Sequence, residues 1–130
     1  MHEMDENIKW SVGIAPAVYG TTEVTGTGVD MAKYNNYVAE VISGNSAAFQ
    51  GALTVVIAES TDNVTFSDTY LATITLASNT VTDACDTVEV RAEEMSDGYR
   101  YLRMEITPST GTGNLYAGVN SQHNPRYGTA

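Results

Sequence analysis

Apolar and polar residues exchange places every second position in segment after segment of this chain. That period of two is the strongest limit on its fold. Residues 99–107 set it out in full: Arg100, Leu102, Met104 and Ile106 fall on one face, and Tyr99, Tyr101, Arg103 and Glu105 on the other. Residues 37–43 place Tyr37, Ala39, Val41 and Ser43 against Val38, Glu40 and Ile42. Residues 70–76 place Tyr70, Ala72, Ile74 and Leu76 against Leu71, Thr73 and Thr75, and residues 87–92 place Val88, Val90 and Ala92 against Thr87, Glu89 and Arg91. Successive side chains of an extended strand point to opposite faces, so each segment predicts a strand with one covered face. Residues 52–59 differ. Leu53, Val55 and Ile57 oppose Thr54, Val56 and Ala58, both sets are largely apolar, and this strand is expected near the centre of its sheet.

Further strands are expected at residues 10–14, 18–25, 64–67 and 114–121, the last with Leu115, Ala117 and Val119 on one side; Thr21, Thr22 and Thr25 mark residues 18–25 as an exposed edge. Turns or loops are expected at Gly26-Thr27-Gly28 and at residues 32–36, 44–51, 60–63 and 108–113. Residues 77–86 read as a polar connection, and Ser96-Asp97-Gly98 as a hairpin-like turn. Residues 92–95 have room for one helical turn. Val, Ile, Thr, Tyr, Phe and Trp supply 47 of the 130 residues, while Leu, Lys and Gln supply 9, a balance that favours sheet over helix. Seven or eight strands at spacings near ten residues predict a single all-β domain, a sandwich or a barrel. Its expected limits are residues 10–121, between a flexible N-terminal arm (1–9) and a C-terminal tail (122–130). No second domain, repeat or linker interrupts it, and one cysteine allows no intrachain disulfide.

The chain carries 6 basic and 16 acidic residues, a net charge of −10. Nucleic acid and anionic membranes both reward clustered Lys and Arg, so neither is an expected partner. The longest apolar stretch, near residues 53–58, is far short of the roughly 20 residues of a spanning helix. Residues 1–7, with Glu3, Asp5 and Glu6, lack the pattern of a secretory signal, and the single thiol suits synthesis in the cytosol. Half of the net charge falls between Asp83 and Asp97, while four of the six basic residues lie from Arg91 onward. That patterning suggests an acidic face toward solvent and a face bearing Tyr and Arg toward a protein.

No constellation of catalytic residues is present. Hydrolytic chemistry needs a nucleophile, a base and an orienting group, and the only histidines, His2 and His123, sit in the arm and the tail. No serine lies in a Gly-x-Ser-x-Gly setting. Cys85 is flanked by acids that raise a thiol's pKa, so it reads as an inert small residue in a connection. Asp83 and Asp86, and likewise Asp62, Asn63 and Asp68, lack the spacing of a calcium loop, and turn hydrogen bonding accounts for them. Gly26-Thr27-Gly28 and Gly111-Thr112-Gly113 lack the helix and lysine of a phosphate loop. No metal or cofactor is expected, and the chain is not expected to be an enzyme. Tyr99 and Tyr101, two apart on one strand, fit ordinary sheet packing, a protein interface with Arg103 beside them, or a stacking platform for carbohydrate.

The order of features carries a resemblance. Pro16 follows a short apolar start, and Gly28-Val29-Asp30-Met31 comes next. A strand opens at Tyr37. Glu59-Ser60-Thr61-Asp62-Asn63 runs on to Phe66-Ser67-Asp68. Gly98-Tyr99-Arg100-Tyr101-Leu102-Arg103-Met104 precedes a last strand, and Pro125-Arg126-Tyr127 follows. Over about residues 10–127 this resembles small virion structural proteins of tailed bacteriophages, most of all head decoration, or cement, proteins. The resemblance implies a jelly-roll-like antiparallel β-sandwich that binds the major capsid protein from outside the shell and stiffens the lattice. The expected location is the outer surface of the virion, after synthesis in the host cytoplasm. Expected contacts are Ile8 and Trp10 of the arm, Arg126 and Tyr127 of the tail, and Tyr99, Tyr101 and Arg103. A homo-oligomer is expected, with a trimer suited to three-fold lattice positions. Two other readings fit the same residues: a carbohydrate-binding or adhesion module, and a tail or neck structural protein.

Overall fold

The structure, a computed structural model, describes residues 8–16, 22–43, 53–76, 85–108 and 116–125. They form β1 (Ile8–Ile14), β2 (Val24–Thr25), β3 (Val29–Asp30), β4 (Tyr34–Ser43), β5 (Leu53–Ser60), β6 (Ala72–Leu76), β7 (Cys85–Arg91), β8 (Tyr101–Pro108) and β9 (Tyr116–Pro125). A single 3-10 turn, Ala92–Glu94, is the only helical piece among the described residues. The expected all-β sandwich is observed.

One sheet has the order β1-β9-β4-β7, and the other β2-β8-β5-β6, with β3 also on β8. The antiparallel pairs are nested: β1 with β9, β2 and β3 with β8, β4 with β7, and β5 with β6. The chain is therefore one long hairpin with its tip at β5 and β6. It is rolled so that β9 also meets β4 and β8 also meets β5. This is the path of an eight-position jelly roll.

Strands β2 and β3 share one of those positions. Val24 pairs with Ile106 and Val29 with Leu102, so five steps along one strand match four along the other. The extra residue is a bulge, and the chain keeps its direction through it. Gly26-Thr27-Gly28, expected to be a reversing turn, is that bulge. Gly26 N donates to Met104 O at 2.7 Å, and Thr27 N donates to Gly13 O of β1 at 2.9 Å, which ties the edges of the two sheets together. A Cβ on residue 26 would stand 2.8 Å from Met104 O and 3.0 Å from Gly13 O, so the close approach requires glycine.

The core lies between the sheets. Val55, Ile57, Leu102, Met104 and Ile106 face Tyr37, Ala39 and Val90, and Ile14, Val29 and Met31 close one side. These are the inward rows that the alternation predicts, and full burial of each large side chain stabilises the fold by roughly 1.5–3 kcal/mol. Strand β5 lies between β8 and β6, and Val56 and Ala58 on its second face are buried too, as its two apolar faces suggest.

Local side-chain bonds explain most departures from expectation. Residues 64–67 form no strand, only an isolated bridge between Ser60 and Phe66. The Asp62 carboxylate accepts from Val64 N at 2.9 Å and Thr65 N at 2.8 Å, so the backbone bonds locally instead of to a ladder. The turn expected at residues 32–36 is shorter, because β4 begins at Tyr34. Cys85 opens β7 rather than lying in a connection. The turn at residues 96–98 forms, with Tyr99 N donating to Ser96 O at 3.0 Å and Gly98 at φ 83°. It is no hairpin, since it carries the chain from β7 in one sheet to β8 in the other. At the ends, Ile8 and Lys9 already belong to β1, and residues 122–125 continue β9; Ile8 pairs with His123 and Lys9 with Gln122.

Candidate functional site

Strand β1 is the edge of the four-stranded sheet, and its residues alternate between two different surfaces. Ile8, Trp10 and Val12 share the outer face of the sheet. Trp10 is paired with Ser121, which pairs in turn with Val38, and Val12 with Val119. Trp10 is 54% exposed and Val12 62% exposed, on an otherwise acidic protein, while Ile8 is half-buried. Among the described residues, Val64 and Tyr70 of the 61–71 loop are also exposed, but Trp10 and Val12 stand uncovered side by side on one strand face, an arrangement suited to protein contact.

The other set of β1 side chains, Lys9 and Ser11, opens into a cleft of about 400 Å³ between β1 and β3. Asp30, Lys33, Tyr34 and Gln122 also line it. Gln122 Nε2 donates to Asp30 O at 2.7 Å and so bridges the two sheets. The Asp30 carboxylate is already committed: Arg100 Nε and Nη2 donate to its two oxygens at 2.7 and 2.6 Å. That two-pronged contact holds the Asp30 carboxyl below its ordinary range, against a smaller upward push from burial, and Ala32 N, the Arg100 charge and Lys33 add to the lowering. Lys9 and Lys33 are the chain's only lysines, and neither has a salt bridge among the described residues. Ser11 Oγ is buried and unbonded, as is Nδ2 of Asn120, its partner across β9. Asn120 Oδ1 accepts from the buried Tyr37 hydroxyl at 2.5 Å, and burial holds that phenol protonated far above neutrality. The ground beneath β1 is thus polar, rich in donors and locally positive.

Of the other expected contacts, Tyr101 and Arg103 lie on β8 of the opposite sheet. Tyr101 is half-buried in β8, with the Arg100 guanidinium 5.4 Å from its ring centre. Tyr99 precedes β8, so the two tyrosines do not form the shared strand face that the alternation suggested. Arg103 Nη2 lies 2.6 Å from Glu105 Oε1, and its guanidinium sits 4.0 Å above the Phe66 ring. Residues 61–71 carry Phe66 there, and their return along β5 is bonded by Ser67 N to Glu59 O and by Leu71 N to Ile57 O, both at 2.9 Å. A Cβ on Gly28 would meet Asn63 and Phe66, so the loop reaches the β3 edge of the sheet. Arg126 and Tyr127 lie outside the described residues. The sequence reading missed Val12, Lys9 and Lys33. The signal was present: an exposed-type apolar pair, Trp10 and Val12, interleaved with Lys9 and Ser11, in a chain with only two lysines.

No protein family and no curated protein matches the sequence. Solved structures with the same fold do. The chain superposes on the PBSX exported protein XepA with a TM-score of 0.62 and 17% identity, covering 88% of this chain and 37% of that one. It therefore spans little more than a third of that protein. The SPBc2 prophage-derived protein YomS aligns with a TM-score of 0.56 at 9% identity, over 95% of this chain and 99% of the other. The PRD1 vertex protein P5 aligns with a TM-score of 0.55 at 5% identity, over 91% and 96%. At these identities the likeness establishes a shared jelly-roll fold, one found repeatedly in proteins of phages and viruses.

Proposed function

We propose that this chain is a structural protein of a virus particle and, within that class, a phage decoration protein that binds the outer surface of the major capsid lattice. The observation that carries the reading is the jelly-roll path itself, shared over nearly the whole chain with a phage vertex protein. The uncovered Trp10 and Val12 on β1 supply an apolar contact of the kind protein interfaces use. The net charge of −10 favours a position away from packaged nucleic acid. Binding to the assembled shell alone stabilises it by linkage, by about 2.7 kcal/mol per site when the free protein is at a hundred times its Kd. A trimer seated on three-fold positions is the proposed assembly.

The test is cosedimentation of the purified chain with head shells and, separately, with tails of the phage that encodes it. Saturable binding to shells, with a raised shell melting temperature, is the expected result. Binding to tails alone would move the protein to the tail or neck. Binding to neither would overturn the reading.

A further inference from the structure

We propose that the free edge of β1 takes an extended protein segment in which acidic and apolar residues alternate, added as a further strand to the four-stranded sheet. This inference rests on the reading above that the chain acts by protein contact, and it names the chemistry of the partner.

Three observations converge on β1. It ends its sheet, and among the described residues no strand pairs with its outer side; the bond from Thr27 N to Gly13 O caps it only near its end. An exposed edge is a template for strand addition. Its two faces then dictate what the added strand carries. Side chains of the incoming segment alternate with period two, so every second one lies beside Trp10 and Val12 and the others turn toward the cleft. That cleft holds both lysines of the chain, neither in a salt bridge among the described residues, with the Asp30 carboxylate already bonded to Arg100. Ser11 Oγ adds a buried hydroxyl with no bonded partner. Lysine ammoniums and a free hydroxyl donate hydrogen bonds to carboxylates, and charge-assisted bonds of this kind are the strong ones. An acidic position every second residue satisfies the cleft, and an apolar one satisfies Trp10 and Val12. The protein's own charge of −10 repels long polyanions, so a few spaced carboxylates suit the site better than a nucleic acid or polyphosphate.

The test titrates the isotope-labelled full chain, without any shell, with a short capped peptide of alternating Glu and Val. A block peptide of the same composition, inorganic phosphate and glucuronate serve as separate probes. The alternating peptide is expected to shift the backbone amides of residues 8–12. Its affinity is expected to fall about tenfold or more on Lys9→Glu with Lys33→Glu, and to weaken as salt rises from about 50 mM to about 500 mM. Both lysines lie at the surface, and an unchanged circular dichroism spectrum confirms that the double variant folds. An alternating Lys and Val peptide should bind that variant in place of the original. Equal binding of the block peptide, shifts away from β1, or no binding would overturn the proposal. Binding of phosphate or glucuronate without the peptide would make the cleft a small-anion site and overturn it as well. Shell binding without peptide binding would sink only this inference, and peptide binding without shell binding only the decoration reading.

Discussion

On the outside of the five-stranded sheet, Phe66 lies against Arg103, Arg103 bonds Glu105, and the carboxylate of Glu105 is buried. On the outside of the four-stranded sheet, Trp10 and Val12 stand uncovered on an edge strand, above a cleft lined by two lysines that form no salt bridge among the described residues. One loop, residues 61–71, makes the difference. It uses Asp62 and Asn63 to turn, lays an aromatic ring over a cation, and returns along β5. A jelly roll has two outer faces, and its fold demands only that the inner ones be apolar. Here the 61–71 loop covers part of one outer face, while on the other Trp10 and Val12 stay exposed, the surface proposed above for a partner.

Substitutions can break this contrast, and the largest effect belongs to neither face. Ile57→Ala, in the shared core, is expected to cost about 2–5 kcal/mol in chemical denaturation, which sets the scale. Phe66→Ala removes the cover of the five-stranded sheet. It loses the cation–π contact and part of an aromatic burial, and the expected loss is about 1–2 kcal/mol, with Arg103 becoming more exposed to solvent. The Asp30–Arg100 pair offers a smaller, pH-dependent effect. The Asp30 carboxyl has a lower pKa folded than unfolded, so the unfolded chain binds the proton more readily. Its contribution is fully present above the ordinary Asp value of about 3.9 and is lost as the pH falls through the lower folded value. Asp30→Asn should remove that component from the acid limb of a melting-temperature profile, and only modestly, because the pair is exposed. Trp10→Ser should change stability least, within about 0.5 kcal/mol, while weakening partner binding. A large stability loss at Trp10 would mean that the face is already covered and the contrast false.

Much of the interior was legible in the sequence. The inward rows of β4, β7 and β8 follow from period-two alternation, and the two apolar faces of residues 53–58 mark β5 as an inner strand. Where the alternation was polar, it was silent. Lys9 and Ser11 in β1 and Gln122 in β9 line the polar cleft, and Asn120 is a polar residue buried against the core Tyr37, so residues 8–9 and 122–125 read as arm and tail although Ile8 pairs with His123 and Lys9 with Gln122. The bulge at Gly26-Thr27-Gly28 resembles a turn for the same local reason, since glycine serves both; only the pairing of Val24 and Val29 to one strand tells them apart. Arg103 was expected at a partner surface. The aromatic ring that engages it, Phe66, lies far off in the chain, and no local pattern links the two.

An electron-microscopy reconstruction of the virus particle of the source genome is the sharpest test of the proposed decoration role. Under that proposal jelly rolls stand in threes on the outside of the shell, with β1, Trp10 and Val12 turned inward against the capsid protein and the 61–71 loop toward solvent. A particle that lacks the protein, or one in which β1 faces solvent while the 61–71 loop makes the contact, would contradict it.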